Sequence, residues 1–179
     1  PETWDKEPGI ARLKSEFGIG EELITQFHQP YVYLNRDVIR ERGLDQERVE
    51  QAVAEEMAKL PGVALAVSST ALMKGQVSDT ALMRSILNNH NPQRSGDVFV
   101  VFQPHWFIND FEGLQAAATH GSPWRYDTYV PLMFAGAGLQ PKRVQRRVWT
   151  VDVASTLAAF VGAKPPSGSS GQVLEEVVK

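Results

Sequence analysis

The chain has 179 residues, a formal net charge of −3 and 42% hydrophobic against 22% charged residues, the make-up of a globular protein with material for a core. With a pI of about 5.8 it carries no basic field suited to nucleic acid or an anionic membrane surface, and the lack of cysteine removes disulfides, thiol nucleophiles and cysteine-based zinc sites. No apolar run reaches the length of a membrane span. The chain opens at Pro1, without a methionine and in mid-pattern, which predicts a processed product or a fragment of something longer.

Pro1 to Pro8 is a polar lead-in. Ile10, Leu13, Lys14 and Phe17 are spaced as on two helical turns, closed by Gly18 and Gly20. Leu23 to His28 and Tyr31 to Leu34 read as strands joined at Gln29-Pro30 in a hairpin; His28 beside this turn is expected to be exposed or simply hydrogen-bonded. Asn35 to Gly43 predicts a short helix or turn. Asp45 then caps an amphipathic helix carrying Val49, Ala52, Val53, Glu56, Met57 and Leu60, ended by Pro61-Gly62, with an acidic face expected to be solvated. Val63 to Ser68 reads as a half-buried strand, and Ser78-Asp79-Thr80 caps a helix from Leu82 to Leu87. Val98 to Phe102 is a strong strand signal. Leu23 to Phe102 therefore predicts an α+β unit with a small, largely antiparallel sheet.

His105 to Phe111 forms an aromatic loop, expected to serve packing or an interface, with His105 structural. Thr119-His120-Gly121-Ser122 follows, with Asp127 seven positions after the histidine, and Val130 to Phe134 predicts a buried strand. A histidine in a loop before a core strand stands where α/β enzymes keep metal ligands and bases, although a lone loop histidine is also a common structural residue. Gly136-Ala137-Gly138 lacks the full dinucleotide fingerprint and is a turn. Lys142, Arg143, Arg146 and Arg147 are expected on a solvated loop or strand edge. Val148 to Val151 predicts a short strand, Asp152 caps a helix to Phe160, Lys164 to Gly171 is a loop, and Val173 to Val178 is a short helix or strand.

Thr119-His120-Gly121-Ser122, Tyr126-Asp127, Val130-Pro131, Phe134 and Gly136, continued by Asp152 to Leu157, Gly162, Pro166, Gly171 and Leu174, resemble the C-terminal signature of the alkaline phosphatase superfamily. Similar spacing occurs in its type I phosphodiesterase/nucleotide pyrophosphatase relatives. Tyr33-Leu34-Asn35-Arg36-Asp37, Arg94 to Val98 and Trp106 to Asp110 look most like the phosphate-irrepressible (PafA-like) monoesterase branch. The resemblance implies an α/β fold: residues 22–112 as an inserted α+β subdomain after a lead-in at 1–21, and 113–179 as the C-terminal part of the core. It implies zinc as cofactor, two ions in the parent enzyme, with His120 a ligand of one of them. Asp127 would fix the imidazole from behind, a role that turn capping matches equally well. A phosphate ester would be the substrate, and the periplasm or exterior the compartment.

The resemblance places no catalytic residue and no further cofactor-binding residue in this chain. The family's Asp-His pair is absent, and none of the four histidines follows an aspartate at four residues. Val130 to Phe134, lacking neighbouring strands, predicts self-association through an exposed sheet edge. Two other readings stand beside this one. The first is a phosphodiesterase, nucleotide pyrophosphatase or sulfatase of the same superfamily; the second is a stand-alone, non-catalytic binding module.

Overall fold

The computed structural model describes residues 4–108 and 118–179. Asn109, Asp110 and Phe111 of the aromatic loop, and the first three residues of the lead-in, lie outside the described residues. The chain divides into two compact units, Pro1–Thr128 and Tyr129–Lys179. Its class is mixed α/β, as the sequence predicts.

The first unit opens with a single 3-10 turn over Trp4–Lys6 and α1 (Pro8–Phe17). Pro8 occupies the first helical turn, where its missing N–H costs nothing, and Gly18 adopts the left-handed conformation that ends the helix. β1 (Ile24–His28) and β2 (Tyr31–Leu34) form the expected antiparallel hairpin around Gln29-Pro30. The Asp5 carboxylate, buried, accepts the amides of Leu23 and Ile24 at 2.8 Å each and pairs with Lys14 at 2.5 Å, so it fixes where β1 begins. Burial raises the Asp5 pKa, but the Lys14 bond and the two amides outweigh it and hold the carboxyl below its usual range.

Asn35 caps α2 (Arg36–Glu41), and Asp45 caps α3 (Gln46–Met57) by accepting the Arg48 amide at 3.0 Å. β3 (Val63–Ser68) leads directly into α4 (Ser69–Lys74), a helix that the sequence pattern does not reveal. Six residues are too few for an apolar period, but Ser68 accepting from the Ala71 amide and Gly75 in the left-handed region bound it clearly. Thr80 caps α5 (Ala81–Asn89), and β4 (Val98–Phe102) completes the sheet.

The strand order is β1-β2-β4-β3, with every neighbouring pair antiparallel. β4 is an inner strand covered on both faces, which explains its unbroken apolar run. Val98 and Val100 join the larger core with Ile10, Leu23, Val49 and Met57, while Phe99 and Val101 join a second cluster with Leu72, Met83 and Ile86. One expectation about α3 fails. Its acidic face is not wholly solvated: Glu50 is only 1% exposed, and its carboxylate accepts from Gln46 Nε2 at 2.7 Å and from the Thr70 hydroxyl and amide at 2.8 and 3.1 Å. These donors tie α3 to the first turn of α4 and make burial of the charge tolerable.

After α6 (Arg125–Thr128), which closes the first unit, the second unit contains α7 (Asp152–Phe160) and α8 (Glu175–Val178). Two expected strands are absent from it. Val130 to Phe134 has no regular secondary structure, with Val130 56% and Met133 83% exposed. A strand needs a ladder, and none of the described strands pairs with this stretch. Val148 to Val151 instead feeds the turn that starts α7, where Asp152 donates its amide to the Trp149 carbonyl at 3.0 Å.

The unit's order rests on buried polar groups. Asp152 accepts the amides of Trp149 at 2.8 Å and Gln172 at 2.9 Å, Ser155 donates to the Gly171 carbonyl at 2.9 Å, and Thr156 accepts the Leu174 amide at 2.9 Å. The Asp152-to-Thr156 phrase thus fastens α7 to the returning loop. The two amides hold the Asp152 carboxyl below the usual carboxylate range.

Candidate functional site

His120 sits in the loop that joins the aromatic segment to α6, and it is exposed. Gly121 follows with φ 98°, a left-handed backbone that disfavours any side chain, so the chain can reverse beside the imidazole. Ser122 then locks the reversal: its amide and hydroxyl donate to Asp127 Oδ2 at 2.9 and 2.6 Å. Asp127 and Thr128 donate their amides to the Trp124 carbonyl at 3.0 Å each, starting α6. The loop is a hydrogen-bonded unit from Ser122 to Thr128.

Two aromatic side chains fasten this loop to the segment after β4. Trp124 donates its indole N–H to the Phe102 carbonyl at 2.8 Å, and the Tyr126 hydroxyl accepts the His105 amide at 3.0 Å. The His105 and Tyr126 rings stack at 4.7 Å between centroids with 16° between planes. His105, Trp106, His120 and Tyr126 border a cleft of about 250 Å³. His105, expected to be structural, packs its ring on Tyr126 beside the cleft. An aromatic pair separated by 21 positions leaves no periodic trace, so sequence reasoning had no signal for it.

Asp127 lies beside His120 in the cleft. The hydroxyl and amide of Ser122 hold its carboxyl below the usual carboxylate range against a smaller effect of burial, and the nearby His120 adds to the lowering. The carboxylate is therefore charged at neutral pH and closes the turn through Ser122. Its charge also reaches His120.

The other histidines are dispersed. His28 is exposed at the end of β1 with its ring against Tyr33, and His90 ends α5, where burial pushes its pKa below the usual value against an opposing effect of Glu50. Among the described residues no group of three or more His, Asp or Glu converges as a metal site. His120 is a single imidazole donor, and a zinc ion needs three or four ligands, so the described residues do not by themselves fit the zinc that the resemblance implies.

A larger cleft, about 490 Å³, lies elsewhere in the first unit. It unites the phrases Tyr33-Leu34-Asn35-Arg36-Asp37 and Arg94-Ser95-Gly96-Asp97, 57 positions apart from Asp37 to Arg94. Its acidic groups are already engaged. Asp97, buried, accepts the Leu34 amide and Arg36 Nε at 2.7 Å each, and Asp37 pairs with Arg40 at 2.7 Å. Volume alone does not make it the site, because these bonds tie β2 and α2 to the residue before β4, or lie within α2, and offer no poised base or nucleophile. The smaller cleft with His120 is the better candidate.

No family model matches the chain. It is 29% identical over 168 residues to a calcium-transporting ATPase of Myroides odoratus, a match covering 94% of this chain and 30% of that protein. It is also 29% identical over 150 residues to the alkaline phosphatase PhoV of Synechococcus elongatus, covering 83% of this chain and 26% of PhoV. The crystal structure of wild-type alkaline phosphatase PafA matches 99% of the chain at a TM-score of 0.82 and 25% identity, over 33% of its own length. The chain is similar to alkaline phosphatases over most of its length. It spans about a third or less of the length of these relatives. The match to PafA takes in nearly the whole chain, the loop of His120 and the four-stranded unit alike. Among the described residues no helix is long and apolar enough to cross a membrane.

Proposed function

We propose that the chain is the C-terminal portion of a zinc-dependent phosphate monoester hydrolase of the alkaline phosphatase type, to which it contributes His120 as one metal ligand. The observation that carries this reading is His120 itself, held beside Gly121 in a loop braced at Trp124 and Tyr126, within a chain similar to alkaline phosphatases along most of its length. Imidazole nitrogen suits zinc, and the remaining ligands and the nucleophile would come from the part of the relatives' length that this chain does not span. Zinc would supply Lewis-acid stabilisation of a phosphoryl group. The chain's own contribution is positional: Ser122 and Asp127 set the turn, and the Asp127 charge beside His120 favours a fixed imidazole orientation.

Within this reading the four-stranded unit is an inserted subdomain and residues 113–179 belong to the catalytic core. The substrate is a small phosphate ester, and the compartment is the periplasm or exterior. Val130 and Met133, both exposed, support self-association of the chain through this apolar stretch, which sedimentation would detect as a dimer.

Zinc content and turnover of the full-length protein test the central assignment. His120→Ala should lose most of both, and Asp127→Asn, which keeps an acceptor for Ser122, should weaken zinc by about 10- to 100-fold. Full retention of zinc and turnover in His120→Ala would sink the assignment. The 179-residue chain alone should hydrolyse p-nitrophenyl phosphate no faster than buffer.

A further inference from the structure

The cleft at His120 has one wall that the metal assignment does not use. His105 is a non-glycine residue at φ 67°, in the left-handed region that side chains rarely adopt. Its amide bond to the Tyr126 hydroxyl and the parallel ring stack hold it there. The next residue, Trp106, is 55% exposed and Tyr126 is 48% exposed. Trp106 is braced from one side, since a Cβ at Gly62 would overlap its ring, so the indole lies directly on the Gly62 backbone. Three aromatic rings thus stand exposed around one cleft, each fixed by a specific partner.

Rings already immobilised lose little entropy when a planar ligand stacks on them. We propose that His105, Trp106 and Tyr126 form a subsite for a planar aromatic group, such as a nucleobase, carried by a phosphate ester whose phosphoryl end lies toward His120. This rests on the phosphatase reading and names the substrate class: monoesters with an aromatic or heteroaromatic body. No covalent step involves the wall. It binds and orients, and its effect belongs in KM.

The test compares adenosine 5′-monophosphate with ribose 5-phosphate on the full-length protein, since both present the same primary alcohol as leaving group. In Trp106→Ala and Trp106→Leu, kcat/KM for the nucleotide should fall about tenfold, mostly through KM, with ribose 5-phosphate within about twofold of the parent. Turnover of ribose 5-phosphate also reports that each variant is folded. Parallel losses on both substrates, or no loss on either, would overturn the subsite. Should the full-length parent hydrolyse neither ester, the phosphatase reading fails. The wall is then judged by NMR on the 179-residue chain, where millimolar adenosine, but not ribose, should shift the Trp106 indole signal. Unmoved Trp106 and Tyr126 signals would overturn it.

Discussion

Trp124 donates its indole N–H to the carbonyl of Phe102 at 2.8 Å, and this bond joins the loop of His120 to the end of the central strand β4. Everything downstream in the loop depends on Trp124, because its own carbonyl receives the amides that begin α6. The metal-candidate histidine is therefore placed by a strand that is buried on both faces.

Trp124→Phe keeps an aromatic ring and removes the donor. It should cost about 1 kcal/mol in urea denaturation of the chain, the usual net value of one hydrogen bond. Amide exchange should accelerate at Ser122, Asp127 and Thr128 while the amides of β3 and β4 keep their protection. Unchanged exchange in the loop would mean that ring packing, not the bond, holds it.

Gly62 and Trp106 make a coupled pair. Gly62 has φ 81°, and an added Cβ there would run into the Trp106 ring. Gly62→Ala should cost about 1–2 kcal/mol for the left-handed backbone alone, with a further loss from displacing the indole. Trp106→Ala should remove the second cost and leave the first, so the double variant should be less destabilised than the two single losses added together. Strict additivity would show that Trp106 does not rest on Gly62 in solution.

Much of the first unit was legible because its elements announce themselves locally. Asp45 before an apolar 3.6-residue period, Thr80 before another, and Gln29-Pro30 between two β-rich runs each carry their own boundary signals. α4 escaped because six residues hold no period, and Val130 to Phe134 misled because an apolar run speaks for a strand only where a ladder partner exists. His120 stood out through the residues around it, whereas the stack of His105 on Tyr126 is a tertiary event between loops, invisible to spacing. Glu50 shows the same limit: composition places a glutamate outside, and only the Thr70 donors, twenty positions on, bring it in.

Both oxygens of Glu50 accept hydrogen bonds, one from Gln46 and two from Thr70. Glu50→Ala would leave the Thr70 donors short of a partner in a closed space, at about 1–3 kcal/mol. Glu50→Gln keeps one acceptor oxygen, and Gln46 can turn its own amide to meet the new donor, so it should recover part of that loss. Urea midpoints of the two variants rank the effects; an alanine variant as stable as the parent would refute the role given to this carboxylate.

Arg146 and Glu176 close the second unit with a two-pronged pair, Nη2 to Oε2 at 2.8 Å beside a shorter Nε bond, and it lowers the Glu176 pKa from 4.5 to about 2. The sign follows from the proton count. The unfolded chain takes up its proton near 4.5 and the folded chain near 2, so the pair's contribution is complete above about pH 4.5 and is lost as pH falls toward 2. The side chains are solvent-accessible, so the effect on stability is small and salt-sensitive, and the titration itself is the sharper readout. Carboxyl-carbon NMR should find Glu176 titrating well below the ordinary glutamate range. Arg146→Ala should return it to the ordinary glutamate range, and 1 M salt should move it part of the way there. A Glu176 that titrates normally in the parent chain would show that α8 is not anchored to the basic loop, and the unit would then rest on the Asp152, Ser155 and Thr156 bonds alone.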